Sequence, residues 1–103
     1  FNYPTISYAV SFWNLEAVKF LIEKCGHDIN EISKNNGETA LIRAVHFNFT
    51  EIVEYLLKNG ADVELRSLDD SSPLIIAVWR NKATLVNLLL LYGAKPEITS
   101  KNK

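Results

Sequence analysis

The sequence predicts an all-α fold, a solenoid of stacked helix-turn-helix units. Three observations predict it. First, Leu41, Ala44, Val45, Ile52, Val53, Leu56, Leu57, Gly60 and Ala61 recur 33 residues later as Leu74, Ala77, Val78, Leu85, Val86, Leu89, Leu90, Gly93 and Ala94; self-similarity at such a period marks a repeat architecture. Second, apolar residues within each copy fall at i, i+3, i+4, the spacing of one face of a short helix. Third, a glycine closes each copy, where a helix ends by entering the left-handed region.

The elements follow in chain order. A first copy lies upstream. Ala9, Val10, Glu16, Val18, Leu21 and Ile22 precede Ala44, Val45, Glu51, Val53, Leu56 and Leu57 by 35 residues. The offset then falls to 34, with Gly26, Asp28 and Ile29 before Gly60, Asp62 and Val63. One extra residue therefore sits near Cys25 and a second between Glu31 and Asn35. In the middle copy Thr39 caps a helix start through its hydroxyl. Leu41, Ala44 and Val45 share a face, and Asn48 suits the left-handed turn that follows. A second helix starts near Thr50, carries the stripe Ile52, Val53, Leu56 and Leu57, and stops at Gly60. Glu51 and Asp62 supply helix-start charge and turn chemistry. The third copy starts at Ser72 and Pro73, where proline suits the first helical position, and stops at Gly93 with Pro96 just beyond. Such helices are too short to stand alone in water, the marginal length being about 12–15 residues. Each must bury its stripe on its neighbours, as in a solenoid.

Composition bounds the function. The 103 residues are 48% hydrophobic with a formal net charge of -1. A core can form, and nothing in the balance favours nucleic acid or an anionic membrane. The single cysteine, Cys25, excludes an internal disulfide framework and points to a reducing compartment, cytosol or nucleus. The apolar run Leu88–Leu91 is far short of the roughly 20 residues that span a bilayer. No basic start followed by an apolar stretch opens the chain. It begins at Phe1 and lacks methionine, which reads as an excised or processed piece of a longer protein.

With these residues in place the chain resembles the ankyrin repeat over essentially its whole length. The family signature, Gly-x-Thr-Pro-Leu-His-x-Ala and then a helix ending in a Gly-Ala-Asp-like stop, is matched by Gly37-Glu38-Thr39-Ala40-Leu41-Ile42-Arg43-Ala44 and Lys58-Asn59-Gly60-Ala61-Asp62-Val63. The third copy has Ser72-Pro73-Leu74-Ile75-Ile76-Ala77 and Tyr92-Gly93-Ala94; the first has Pro4-Thr5-Ile6-Ser7-Tyr8-Ala9 and Cys25-Gly26-His27-Asp28-Ile29-Asn30. The signature histidine is absent, with Ser7, Ile42 and Ile75 in its place, which implies a more apolar arrangement there. The resemblance implies one domain over 1–103, with repeats at about 2–34, 35–67 and 68–99. It also implies first helices on a concave inner face, second helices on a convex outer face, and hairpin loops at about Glu31–Gly37 and Glu64–Ser71. It implies a protein partner held by the inner face and loop tips.

The ends of the inner helices carry large groups: Ser11, Phe12 and Trp13, then His46 and Phe47, then Trp79 and Arg80. They follow the Ala-Val pairs of the core by one to three residues and should turn toward solvent. Aromatic residues and arginine dominate interface hot spots, so these residues form the expected partner-binding surface. Asn35, Asn36, Glu38, Leu68, Asp69 and Ser71 flank it on the loops. Against this stands packing on neighbouring repeats, above all for Trp13, which occupies a glycine or asparagine position. For the loop residues the alternative is a solvated hairpin.

Catalysis is not expected, and neither is a cofactor or a metal. Cys25, His27 and Asp28 lie in the loop closing the first repeat and face different ways, with no second cluster at zinc spacing. His46 has no acidic partner close in sequence, and no Gly-rich phosphate loop is present. The sequon Asn48-Phe49-Thr50 lies between packed helices of a chain read as intracellular, and is discounted. By resemblance Asn30 is a candidate for asparaginyl hydroxylation, while Glu64 and Glu97 hold the equivalent place in later copies. Two function classes remain: a protein-binding adaptor or recruitment module, or a regulatory or assembly segment of a larger multidomain enzyme or channel. The last helix is apolar at Leu88 and Leu91 where Tyr55 and Lys58 stand earlier, and Phe1 and Tyr3 are aromatic where a solubilising cap would be charged. Pro96-Glu97-Ile98 reads as entry into another hairpin. Flanking repeats or self-association are therefore expected, the former more on the C-terminal side.

Overall fold

A computed structural model describes residues 6–34 and 37–96. Six helices follow one another: α1 (Ile6–Ser11), α2 (Leu15–Glu23), α3 (Ala40–His46), α4 (Thr50–Lys58), α5 (Pro73–Trp79) and α6 (Ala83–Leu91). No strand occurs among the described residues. Phe1, Tyr3, Pro4, Thr5, Asn35, Asn36, Glu97 and Ile98 lie outside them.

The helix starts follow local chemistry. Thr39 and Ser72 are extended and their hydroxyls accept from the N–H of Ile42 and Ile75, each at 3.2 Å. These bonds satisfy donors that a helix end leaves open. Asn14 caps α2 by accepting from the Ala17 N–H at 3.0 Å. Helices α4 and α6 begin without a side-chain cap, after Phe49 and Lys82. Thr50 is the first residue of α4, in line with its expected place near the helix start.

Each short helix packs on its pair partner and on its counterpart in the next repeat. Helices α1, α3 and α5 form one layer and α2, α4 and α6 the other, with the first layer more closely packed. The stack therefore bends with α1, α3 and α5 inside, and measures 38 × 25 × 20 Å. The core runs continuously between the layers. Val10, Val18, Ile42, Val45, Val53, Leu56, Leu85 and Leu89 are fully buried within it. Ile42 and Ile75 are buried where the family signature has histidine. In the first copy the arrangement stays polar instead. Ser7 is buried, and its hydroxyl donates to the Glu38 carbonyl of the next repeat at 3.4 Å.

Polar ties also cross the repeats. The Asn30 side-chain oxygen accepts from the Asp62 N–H at 2.8 Å, and a Glu64 carboxylate oxygen does the same for Lys95 at 2.9 Å. Asp28 and Asp62 each accept from the N–H two residues on, at 2.9 Å, the Asx-turn bond. On the outer layer the Tyr55 hydroxyl donates to Glu23 at 2.6 Å while the Lys19 ammonium lies 5.6 Å from the Tyr55 ring centre. Burial first, then the hydrogen bond and the charge of Glu23, push the Tyr55 phenol up to about 12.

Two loops join the repeats. Ser33 and Glu38 pair their backbones in the first, and Ser67 and Ser71 in the second, which is one residue shorter. Gly37 is left-handed at φ +69°, and a Cβ there would lie 2.7 Å from Leu68 Cγ and 3.0 Å from the Leu68 nitrogen. The second loop thus nests against the backbone of the first, which only glycine permits.

Candidate functional site

The inner helices end along one edge of the stack, and each end is followed by a left-handed residue: Trp13 (φ +56°), Asn48 (φ +60°) and Asn81 (φ +57°). Asparagine tolerates this region; a bulky residue is rarely found there, at a cost of about 1–2 kcal/mol. Trp13 takes the position nonetheless, with 72% of its surface exposed. Its indole stacks on Phe49 at 5.6 Å and 11°. Phe49 continues the stack to Phe47 at 5.5 Å, and the Arg43 guanidinium lies 5.8 Å from the Phe47 ring centre. Phe12 meets Tyr8 edge-on at 4.9 Å. Phe12, Phe47 and Trp79 are all exposed, Trp79 by 76%. Trp13 therefore packs on the neighbouring repeat and still presents most of its ring to solvent.

A polar ladder runs beside the rings. Glu38, mostly buried, faces Arg43 Nε at 3.0 Å as an ion pair whose N–H is not aligned for a hydrogen bond. The other Glu38 oxygen lies 3.9 Å from His46 Nε2. The acidic neighbour of His46 that short-range sequence reading does not find is thus Glu38. Arg80 Nη2 lies 3.1 Å from His46 Nδ1. Arginine can only donate, so Nδ1 carries the lone pair and the ring hydrogen sits on Nε2, toward Glu38. The order Glu38–His46–Arg80 bridges the second and third repeats.

The loop residues divide. Leu68 is 76% exposed at the tip, against Gly37. Asp69 is exposed and takes a hydrogen bond from the Ser67 hydroxyl. That bond, followed by bonds from Ser71, holds its carboxyl below the ordinary aspartate value. Ser71, expected on the loop flanking the surface, is buried, because it closes the hairpin and supports Asp69. Arg66 braces the same hairpin, with Nη1 donating to the Asp70 carbonyl at 3.0 Å. The expected contributions of Asn35 and Asn36 fall outside the described residues.

Between these parts lies a groove of about 460 Å³ lined by His46, Asp69, Ser71, Ile76, Trp79, Arg80 and Lys82. It joins the hairpin to the end of α5 along the inner face. Sequence reading found five of its residues, His46, Asp69, Ser71, Trp79 and Arg80, and missed Ile76 and Lys82, as it missed Arg43 and Phe49 nearby. Arg43 stands three residues before His46 and so shares its helical face, a signal that was available. Phe49 is an aromatic residue in a turn that has Asn14 and Lys82 in the other copies, and the repeat offset alone marks it as unusual.

The other candidates do not assemble a reacting centre. His27 Nδ1 lies 3.1 Å from Glu31, and Cys25 is exposed. Among the described residues no group of three or more His, Cys, Asp or Glu side chains could hold a metal ion, and no helix is long and apolar enough to cross a membrane. At the last repeat Val78 is 39% exposed, whereas its counterparts Val10 and Val45 are fully buried. Leu90 and Leu91 are exposed as well, but Leu88 is half-buried against the core, a correction to the reading of α6 as apolar on its open side at both Leu88 and Leu91.

The chain is similar to known proteins over most of its described length. The family model described as "Ankyrin repeats (3 copies)" matches residues 6–100. An ankyrin repeat protein of Fowlpox virus is 37% identical over 91 residues, covering 85% of this chain and 26% of that protein. An ankyrin repeat-containing protein of Treponema pallidum is 30% identical over 98 residues, covering 95% of this chain and 33% of its own length. Human BCL-6 corepressor-like protein 1 is 33% identical over 85 residues, 82% of this chain and 5% of that protein. The crystal structure of the ankyrin repeat domain of Bcl-3 superposes with a TM-score of 0.87 at 32% identity, covering 94% of this chain and 42% of that one. The chain thus spans a third or less of the length of these three related proteins and 42% of the Bcl-3 chain.

Proposed function

The chain belongs to the ankyrin-repeat family, whose repeats are in general protein–protein interaction modules and typically non-catalytic, and on that premise we propose that it is an adaptor or recruitment module that binds a partner protein through the inner face and loop tips. One observation carries the reading. Phe12, Trp13, Phe47 and Trp79 stand exposed at the same turn of successive repeats, with Arg80 beside the last. A run of exposed rings along one edge is the composition of an interface centre. The left-handed backbone at Trp13 supports it, because strained residues concentrate at functional sites. Glu38, Leu68 and Asp69 border the surface, and the binding occurs inside the cell, where Cys25 stays reduced.

Site-specific photo-crosslinking tests the reading. A benzophenone side chain placed at Phe47 or Trp79 captures a protein partner, while one placed at Phe20, exposed on the outer layer, does not. Capture only from Phe20 would remove the inner face as the binding surface.

A second reading has its own support. The bared Val78, Leu90 and Leu91 form an apolar end that a further repeat, or a second copy, would cover. The chain would then serve as one segment of a larger protein, regulating or assembling its other parts.

A further inference from the structure

We propose that the groove between the second and third repeats takes a linear acidic peptide, seating an Asp or Glu carboxylate on Arg80 and an adjacent apolar side chain on Trp79. The proposal rests on the inner-face reading above and names the chemistry of the partner.

Charge and geometry carry it. Arg80 gives one N–H to His46 Nδ1 at 3.1 Å, and no carboxylate pairs with it among the described residues. Lys82, at the same groove, also has no carboxylate partner among them. Two cations therefore line a groove whose one acidic side chain, Asp69, is already engaged by Ser67 and Ser71. The remaining N–H groups of a guanidinium present the parallel pair that a carboxylate accepts in bidentate fashion. His46 Nδ1 accepts from one side of that fork at 3.1 Å, and Glu38 lies 3.9 Å from the far side of the ring, so that side of Arg80 is oriented before a ligand arrives. Preorganised donors lose less entropy on binding.

The groove also selects against other anions and against neutral ligands. The Asp69 charge at its lip opposes a phosphate dianion more than a carboxylate monoanion. Trp79 exposes three-quarters of its surface beside Arg80, and Ile76 lies in the floor. A peptide that brought only charge would leave this apolar area wet. One that sets a Leu or aromatic residue next to its acid covers both. The groove extends from the hairpin to the end of α5, so an extended segment of a few residues fits it better than a compact surface.

The test uses the 103-residue chain and a phage-displayed library of random linear peptides. Selection should enrich Asp or Glu next to a large apolar residue. A synthetic peptide of the enriched sequence should lose about tenfold or more in affinity against Arg80→Gln, the scale of one charge-assisted pair. The same peptide with its acid changed to the amide should lose a similar factor against the wild type, and the two changes together should cost no more than either alone. Arg80 is exposed, so the variant keeps the fold, and Arg80→Lys should lie between. Peptides without an acidic preference that still depend on Trp79 would overturn the proposal and leave the inner face as the binding surface. Peptides indifferent to both Arg80 and Trp79 would overturn both. No enrichment over a library panned on Trp79→Ala with Arg80→Gln would overturn the proposal.

Discussion

Leu56→Ala tests the register of the whole stack. Leu56 sits in the middle of α4, is fully buried, and lies in the central repeat, so neither end can fray to relieve the loss. The substitution removes three carbons from the core. At about 0.8 kcal/mol for each buried carbon the transfer loss is roughly 2.4 kcal/mol, and a cavity that cannot collapse raises it toward about 5 kcal/mol. Short helices packed on both sides have little freedom to collapse, so a value of about 3–4 kcal/mol is expected, near the centre of that range. The control is Leu91→Ala. It is the same chemical change at the end of α6, where the side chain is 76% exposed, and it should stay within about 0.5 kcal/mol. Urea titration of both variants, with slopes compared to exclude a change in unfolding cooperativity, measures the difference. A loss below about 1 kcal/mol at Leu56, or an equal loss at Leu91, would refute the assignment of inward and outward faces.

Two further perturbations address the loop and the outer layer. Gly37→Ala should cost more than Gly26→Ala in the same titration. Both residues are left-handed, but the Gly37 Cβ alone meets Leu68; the left-handed cost of about 1–2 kcal/mol is common to both, and equal losses would remove the nested loops. Tyr55 should titrate near 12 by tyrosinate absorbance, and Glu23→Gln should lower that midpoint toward the ordinary value of about 10. Because the folded state raises this value, the stability it contributes is fully present below about pH 10 and is lost as pH rises toward 12. A midpoint unchanged by Glu23→Gln would detach the phenol from Glu23.

The repeat arithmetic made most of the fold legible, and it worked best where local pattern was weakest. Helix α6 is leucine on nearly every side, so its own periodicity names no inner face. The offset of 33 from α4 does: Leu56 and Lys58 map to Leu89 and Leu91, one buried and one exposed. Transfer of burial fails at Val78, which is 39% exposed, whereas its counterpart Val45 lies buried in the central repeat with helix pairs on both sides. The candidate surface was half legible. Exposed rings after the Ala-Val pairs follow from helix geometry within one repeat. The Glu38–His46–Arg80 ladder does not, because it joins residues 34 apart across a stacking interface, one position off the repeat period. Ser71 shows the opposite case. A polar loop residue reads as solvated from its type, yet closing a hairpin buries it.

Binding by the inner edge is separated from a purely structural role by comparing affinity with fold stability at Trp79. Calorimetric titration of a captured partner into the wild type, Trp79→Ala and Phe20→Ala, with thermal unfolding of each, makes the comparison. Trp79 and Phe20 are both exposed aromatic residues, on the inner and outer layers respectively. Trp79→Ala should weaken binding by about tenfold or more, the scale of a hot-spot aromatic, with the unfolding midpoint unchanged, while Phe20→Ala alters neither. Undiminished affinity in Trp79→Ala, or a loss confined to Phe20→Ala, would contradict binding by the inner edge.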